Sequence, residues 1–257
     1  MDLLSFLVRS NIKSTGKKLF VLSHQGLGDQ LTLYGYITEM KKEYPVIVYV
    51  IKENLLETVK MMYHDYNLIY YIIKDDSDIS PNYNFKDKDT LLKILQQLGF
   101  RSHFHYTHSL EPINDYIKTF FTFTEIFYLQ FKLNPELRYT FNVKRNLNRE
   151  KELYNKVVSD LGQDYIVIHE DTRRNFIINR DFVSDLPIFY VGEDSKYKSD
   201  NIFDYITILE KAKEIHVFDS FLSIFVDQLK LKNKVYFHTY LRYGDTRLYQ
   251  SKFIYLY

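Results

Sequence analysis

Three short segments of this 257-residue sequence carry side chains that could do chemistry, and each stands directly after an apolar run. The first is His24-Gln25-Gly26-Leu27-Gly28-Asp29-Gln30-Leu31. Gly26 and Gly28 let a backbone turn tightly and approach a ligand, and a helix beginning here would aim free amides at an anion. Asp29 is either a reacting carboxylate or the cap of that helix. The second segment is His169-Glu170-Asp171-Thr172-Arg173-Arg174-Asn175. Arg173 and Arg174 are permanent cations with a fixed fork of donors, suited to steadying the charge on a departing pyrophosphate. They could equally pair with Glu170 and Asp171 in a solvated loop. The third is Asp219-Ser220, where Ser220 and the amides of a following helix could receive a phosphate, or where either residue could serve only as a cap. Between them, Gly192 and Glu193 end another apolar run and could meet the base or ribose of a nucleotide.

Histidine raises a separate question, because His103 and His105 would point the same way from a strand, with His108 close behind. Three imidazoles without a carboxylate nearby make a poor metal site, so no metal is expected. His169 and His216 are expected to be structural.

The elements that must position these residues alternate in type. Lys17 to Ser23 reads as a strand, Gln30 to Lys42 as a helix, Val46 to Ile51 as a buried strand, Asn54 to Tyr63 as a helix and Leu68 to Ile73 as a third buried strand. Residues 75–89 read as a loop, Thr90 to Leu98 as a helix, Phe100 to Tyr106 as a strand and Pro112 to Phe131 as an aromatic-rich helix closed by Pro135. The polar stretch Lys144 to Lys151 reads as a linker. Beyond it the same grammar restarts: helix Arg149 to Leu161, strands Tyr165 to His169 and Ile188 to Val191, helix Phe203 to Ala212, strand Ile215 to Phe218, helix Phe221 to Leu229 and strand Lys234 to His238. Buried strands alternating with helices predict α/β architecture with parallel sheets and right-handed crossovers, here as two Rossmann-like halves, 1–145 and 146–257.

Composition narrows the function classes. The 34 Lys and Arg nearly match the 33 Asp and Glu, so no global charge favours nucleic acid. Cysteine is absent, which excludes disulfides, thiolate nucleophiles and cysteine-ligated metal, and points to a cytoplasmic, soluble protein. No signal peptide is read at the N-terminus, and no run approaches the ~18 apolar residues of a transmembrane segment.

The turn at Gly26, Gly28 and Asp29 resembles the glycine-rich loop of GT-B glycosyltransferases, particularly the heptosyltransferase-like group, in which a G-x-G-D type turn follows the first strand. The arginine segment is similar to the strand-then-paired-arginine motif of some fucosyltransferases, and the Asp219-Ser220 turn resembles one near the C-terminus of both groups. The resemblance implies a GT-B-like fold with an interdomain cleft, an acceptor-side N-terminal half and a nucleotide-sugar-binding C-terminal half. It further implies sugar transfer from a nucleotide-diphosphate sugar to a carbohydrate hydroxyl, inverting and metal-independent. Asp29 would be the base, weakened by the helix dipole so that proton removal is concerted with bond cleavage. Arg173 and Arg174 would stabilise the leaving group, and Gly26, Gly28, Gly192, Glu193, Asp219 and Ser220 would line the donor. No cofactor is implied beyond the donor substrate, for which the fucosyltransferase likeness favours a GDP-sugar. Two alternatives stand beside this: a dinucleotide-binding protein using Gly26, Gly28 and Glu53, against which Leu31 replaces the third glycine, and a catalytically silent sugar-binding scaffold.

Overall fold

The computed structural model describes residues 6–7, 16–23, 26–74, 88–104, 123–192, 195–242 and 253–257. The chain divides into two compact units, Met1–Val143 and Lys144–Tyr257, each with its own wholly parallel sheet. This is the two-fold repetition of a Rossmann-like α/β plan.

In the first unit, β1 (Lys18–Leu22) leads into α1 (Leu27–Thr32) and α2 (Tyr34–Glu43). These are followed by β2 (Val46–Lys52), a 3-10 turn at Glu53–Leu55 with α3 (Leu56–Met62), and β3 (Leu68–Ile73). Then come α4 (Lys88–Gln97), β4 (Phe100–Phe104), α5 (Phe123–Leu129) and a 3-10 stretch, Pro135–Thr140. The strand order is β3-β2-β1-β4. β1 and β2 are covered on both faces, as their β-branched runs require. β3 has an equally apolar sequence but lies at the edge with Ile72 47% exposed, which corrects its reading as a buried strand. An apolar run records affinity for a sheet, not position in it. Of the loop expected at 75–89, residues 88 and 89 already belong to α4, while residues 75–87 and 105–122, with His105 and His108, lie outside the described residues.

The first helix also differs from its expected form. It starts at Leu27, so Gly28 is a helical residue rather than part of the loop, and the helix breaks at Leu33. The break has a partner: the Tyr128 hydroxyl donates to the Thr32 carbonyl at 2.6 Å. Pro135 likewise opens a 3-10 stretch, with Asn134 accepting from the Glu136 amide, rather than merely ending a helix. That stretch presses directly on α2. A Cβ at Gly35 would lie 2.0 Å from the Leu137 carbonyl oxygen, so only glycine allows the two backbones to meet.

In the second unit, α6 (Leu147–Leu161) and β5 (Ile166–His169) are followed by β6 (Ile188–Val191) and a 3-10 turn at Ile202–Tyr205 that runs into α7 (Ile206–Lys211). β7 (Glu214–Val217), α8 (Phe221–Leu229), β8 (Lys234–His238) and β9 (Phe253–Leu256) complete it. β9, which the sequence reading did not find, pairs in parallel with β8. The order is β6-β5-β7-β8-β9. The β5–β6 connection holds only 3-10 turns, Thr172–Arg174 and Arg180–Phe182, and it packs Ile178 against Ile166 and Ile168 of the sheet.

The polar stretch at 144–151 is structured. Asn146 caps α6, and Arg145 grips buried Glu150 through Nε at 2.9 Å while its Nη1 reaches Glu210 on α7 at 2.7 Å. Thr207 donates to the same Glu150 carboxylate at 2.7 Å. Charge here marks a buried ion-pair network that ties α6 to α7, because a carboxylate out of water must be fully paired.

Replacing Gly35 by Ala tests the close packing of α2. Helix propensity alone would favour alanine by about 0.5–1 kcal/mol, whereas forcing the Leu137 backbone aside costs about 1–3 kcal/mol. The expected outcome is a lower urea midpoint with an unchanged slope, and a raised midpoint would contradict the packing.

Candidate functional site

The strand order fixes where a ligand crevice can form. In the second unit the order is that of a doubly wound sheet, second-first-third-fourth-fifth, and its direction reverses between β5 and β7. Connections leaving these two carboxyl ends diverge, and the space between them is the usual ligand site of such sheets. The turns that meet there are those after His169 and after Val217.

His169 ends β5, 5% exposed, its ring stacked on Phe218 at 5.0 Å and edge-on to Phe221 at 4.9 Å. Its Nδ1 lies 3.4 Å from the Ser220 Oγ. Ser220 is the N-cap of α8, with its amide donating to Ser223 Oγ at 3.2 Å. The structure therefore brings together an imidazole, a hydroxyl and the amides of a nine-residue helix. Burial pushes the His169 imidazole down to about 4, so it is neutral at pH 7 and can hold the Ser220 hydroxyl as either donor or acceptor. Asp219 stays at the same turn, 3.5 Å from Arg242 Nε, and Arg242 also donates to the Asp219 carbonyl at 3.2 Å.

The paired arginines stand on a tight hairpin. Asp171 and Phe176 exchange backbone bonds of 3.0 and 2.9 Å, and Asn175 closes the turn in the left-handed region (φ 57°). Asp171 accepts from the Arg174 amide at 3.1 Å and from its Nε at 2.6 Å, while the guanidinium lies 5.3 Å from the Phe176 ring centre. Arg174 thus carries the local pairing that its neighbours allowed, and Arg173 is exposed beside it. Glu170 pairs instead with Arg180, in two bonds of 2.8 and 2.9 Å, and accepts the Ile178 amide at 2.7 Å. Gly192 ends β6 at φ 134°, a backbone angle reserved for glycine, with the Glu170 carbonyl alongside. Glu193 lies outside the described residues.

In the first unit, the sheet direction reverses between β1 and β4. The turn after β1 carries Gly26 as N-cap of α1 and Asp29 at its third position. Asp29 Oδ2 accepts the Gly26 amide at 3.1 Å. A Cβ at position 26 would come within 2.6 Å of that oxygen, so the carboxylate's position requires the glycine although its backbone angle is ordinary. Behind the turn, the Tyr49 hydroxyl donates to buried Gln30. His103, on β4, is buried against Phe131 at 4.3 Å, with its Nδ1 2.5 Å from Tyr36 Oη. Burial pushes it down to about 4. Glu53 starts the turn after β2 and is exposed. Among the described residues, no three His, Asp or Glu side chains group as a metal site.

Sequence reasoning did not find Arg180, Arg242 or the participation of His169. The arginines are isolated in the chain and gain meaning only from their partners, while a lone histidine at a strand end, such as His169, reads as packing.

Buried imidazoles give the protein an acid-sensitive stability. His103 and His169 titrate near 4 and His238 near 3 when folded, against an ordinary 6.5. Below pH 6.5 the unfolded chain binds protons that the folded chain refuses, so stability is present above 6.5 and is lost as pH falls toward 4. At pH 5.5 the loss is about 1.4 kcal/mol per imidazole. Urea titrations at pH 7.5 and 5.5 should show a drop of a few kcal/mol, halted by no carboxylate effect at so high a pH, and a flat profile would contradict the burial.

No family model and no curated protein matches this sequence. Among solved structures, the chain is similar to the glycosyl transferase family 9 protein of Veillonella parvula DSM 2008. The match has a TM-score of 0.50 at 12% identity and covers 93% of this chain and 85% of that one. The likeness is one of fold: two Rossmann-like parallel-sheet units in series, the plan of that glycosyl transferase.

Proposed function

We propose that this protein is a glycosyltransferase that takes a nucleotide-diphosphate sugar at the carboxyl edge of the second sheet and passes the sugar to a hydroxyl of a carbohydrate acceptor. The observation that carries the reading is the meeting of His169, Ser220 and the start of α8 at the reversal between β5 and β7. Oriented amides and a hydroxyl suit a diphosphate, and the fold is similar to that of the Veillonella parvula glycosyl transferase family 9 protein. In this reading Arg173 offsets the charge on the departing diphosphate, while Arg174 shapes the hairpin that presents it. Gly192 leaves room for the backbone to pass the nucleotide, and Asp219, held by Arg242, sets the angle of the Ser220 turn. Asp29 is the base that takes the acceptor's proton as the sugar bond breaks, giving inversion without a metal. A GDP-sugar is the first donor to try.

A second reading, a catalytically silent sugar- or nucleotide-binding protein, draws on one observation: Asp29 already serves α1 by holding the Gly26 amide. Thermal melting without metal, against GDP, UDP, ADP, CMP, NAD and their common sugar conjugates, tests donor binding. A ligand at ~100 times its dissociation constant adds about 2.7 kcal/mol of stability. Response to one nucleoside diphosphate is expected, and Ser220→Ala and Arg173→Ala should each weaken it. A response to NAD alone, or none, would overturn the reading. Asp29→Asn keeps an acceptor for the Gly26 amide, so it should preserve folding and donor affinity while transfer falls about 10²- to 10⁴-fold. Unchanged transfer would remove Asp29 from the reaction.

A further inference from the structure

A line of four polar side chains, Glu214, His216, His238 and Tyr240, runs through the second sheet on the face opposite His169. Glu214 and His216 alternate on β7, Tyr236 and His238 alternate on β8, and Tyr240 follows at the carboxyl edge. His216 pairs in register with Tyr236, and their rings stack at 4.7 Å. Both imidazoles are fully buried. His216 Nε2 is 3.5 Å from Glu214 Oε2, His216 Nδ1 is 3.0 Å from His238 Nε2, and His238 Nδ1 is 2.9 Å from Tyr240 Oη. At the far end the Asn179 amide donates to Tyr240 Oη at 2.9 Å.

The charge at the Glu214 end favours one direction for the protons between them. Glu214 Oε2 makes no hydrogen bond to His216 Nε2 at 3.5 Å, but its negative charge on that side favours the His216 hydrogen on Nε2 over Nδ1. Burial holds both imidazoles neutral at pH 7, with His238 pushed down to about 3. His216 Nδ1 is then a lone pair and takes the hydrogen of His238 Nε2. His238 Nδ1 is in turn a lone pair and takes the Tyr240 hydroxyl hydrogen. Tyr240 oxygen is left as an acceptor, which is how the Asn179 amide uses it. Reversing the chain would turn an imidazole lone pair toward the Glu214 carboxylate.

We infer that Tyr240 is a ligand-binding residue that offers only an acceptor, and that Glu214, His216 and His238 are positioning residues that keep it so. Its ring is 41% exposed at the carboxyl edge, where β5 and β7 also deliver their turns. An oxygen whose hydrogen is committed inward, and whose second lone pair is taken by none of the described residues, receives a hydroxyl hydrogen and repels a phosphate oxygen. The group it takes is therefore a ribose or sugar hydroxyl, and the phosphates are left to the Ser220 turn. This assignment of the ligand rests on the nucleotide-sugar reading given above, while the proton order of the relay does not.

Two measurements on the full chain separate these parts. Imidazole nitrogen NMR of the unligated protein at pH 7.5 should show His216 and His238 neutral and protonated on Nε2. In Glu214→Gln the amide can donate as well as accept, so the His238 signals should shift toward a mixture of tautomers although that residue does not touch position 214. Protonation of His238 on Nδ1 in the wild type would overturn the relay, as would tautomers indifferent to Glu214→Gln. For the ligand, Tyr240→Phe should weaken binding of the responsive nucleotide sugar about tenfold, with the affinity for inorganic pyrophosphate unchanged. Weaker pyrophosphate binding would make Tyr240 a phosphate donor and contradict the inference, and unchanged nucleotide-sugar binding would remove Tyr240 from the site. Failure of every nucleotide to bind would overturn the ligand assignment together with the donor reading, with the NMR result still deciding the relay.

Discussion

Parallel pairing of β5 with β7 is the interaction on which the candidate site depends. Ile166, Val167 and Ile168 pair with Glu214, Ile215 and His216, so strands that are distant in sequence end at the same level. Parallel neighbours cannot be joined by a short turn, and the chain must leave each carboxyl end by a separate route. One route is the arginine hairpin and the other is the Ser220 turn. Had β6 stood between these strands, His169 and Ser220 would not meet. The same constraint operates in the first unit, where β1 lies between β2 and β4 and the Asp29 turn leaves from its carboxyl end.

Packing around these sheets relies on aromatic residues with polar tips. The sequence has 24 tyrosines and no tryptophan, and several phenols are fully buried. A buried hydroxyl costs free energy unless it is bonded, and the fully buried phenols of Tyr36, Tyr49, Tyr128 and Tyr165 are each bonded to a side chain or a carbonyl. Tyr128 satisfies Thr32 at the break between α1 and α2, and Tyr165 donates to Ile208 at 2.8 Å, joining β5's approach to α7. The imidazoles follow the same logic, His103 with Tyr36 and His216 with His238. Buried histidines form joints between elements, and their burial is why protonation in acid weakens the fold.

Much of the architecture could be read from the order of residues, because hydrophobic period and run length are local. β3, α8 and β8 coincide with the runs that announced them, and the α/β class followed from their alternation. What local pattern could not express was non-local. The edge position of β3, the existence of β9 and the strand orders depend on which strands pair, and no single run contains that information. α1 starts before the expected Gln30 because Asp29, whose type suggests a cap ahead of the helix, acts backward from within the first turn. At the site, Asp219-Ser220 was legible as a strand-to-helix junction, and the loop of arginines as the end of a strand. Their partners were not. Arg180 and Arg242 are separated from Glu170 and Asp219 by long intervals, and His238 and Tyr240 become a relay only when β7 and β8 lie side by side.

The central claim is that the carboxyl edge between β5 and β7 receives a nucleotide diphosphate. Backbone amide hydrogen exchange of the full chain, with and without the nucleoside diphosphate that raises its melting temperature, tests this residue by residue. Slower exchange at residues 169–176 and 219–224, with little change along α6, is the predicted result. Protection confined to the turn at residues 26–32, with the second unit unchanged, would contradict it.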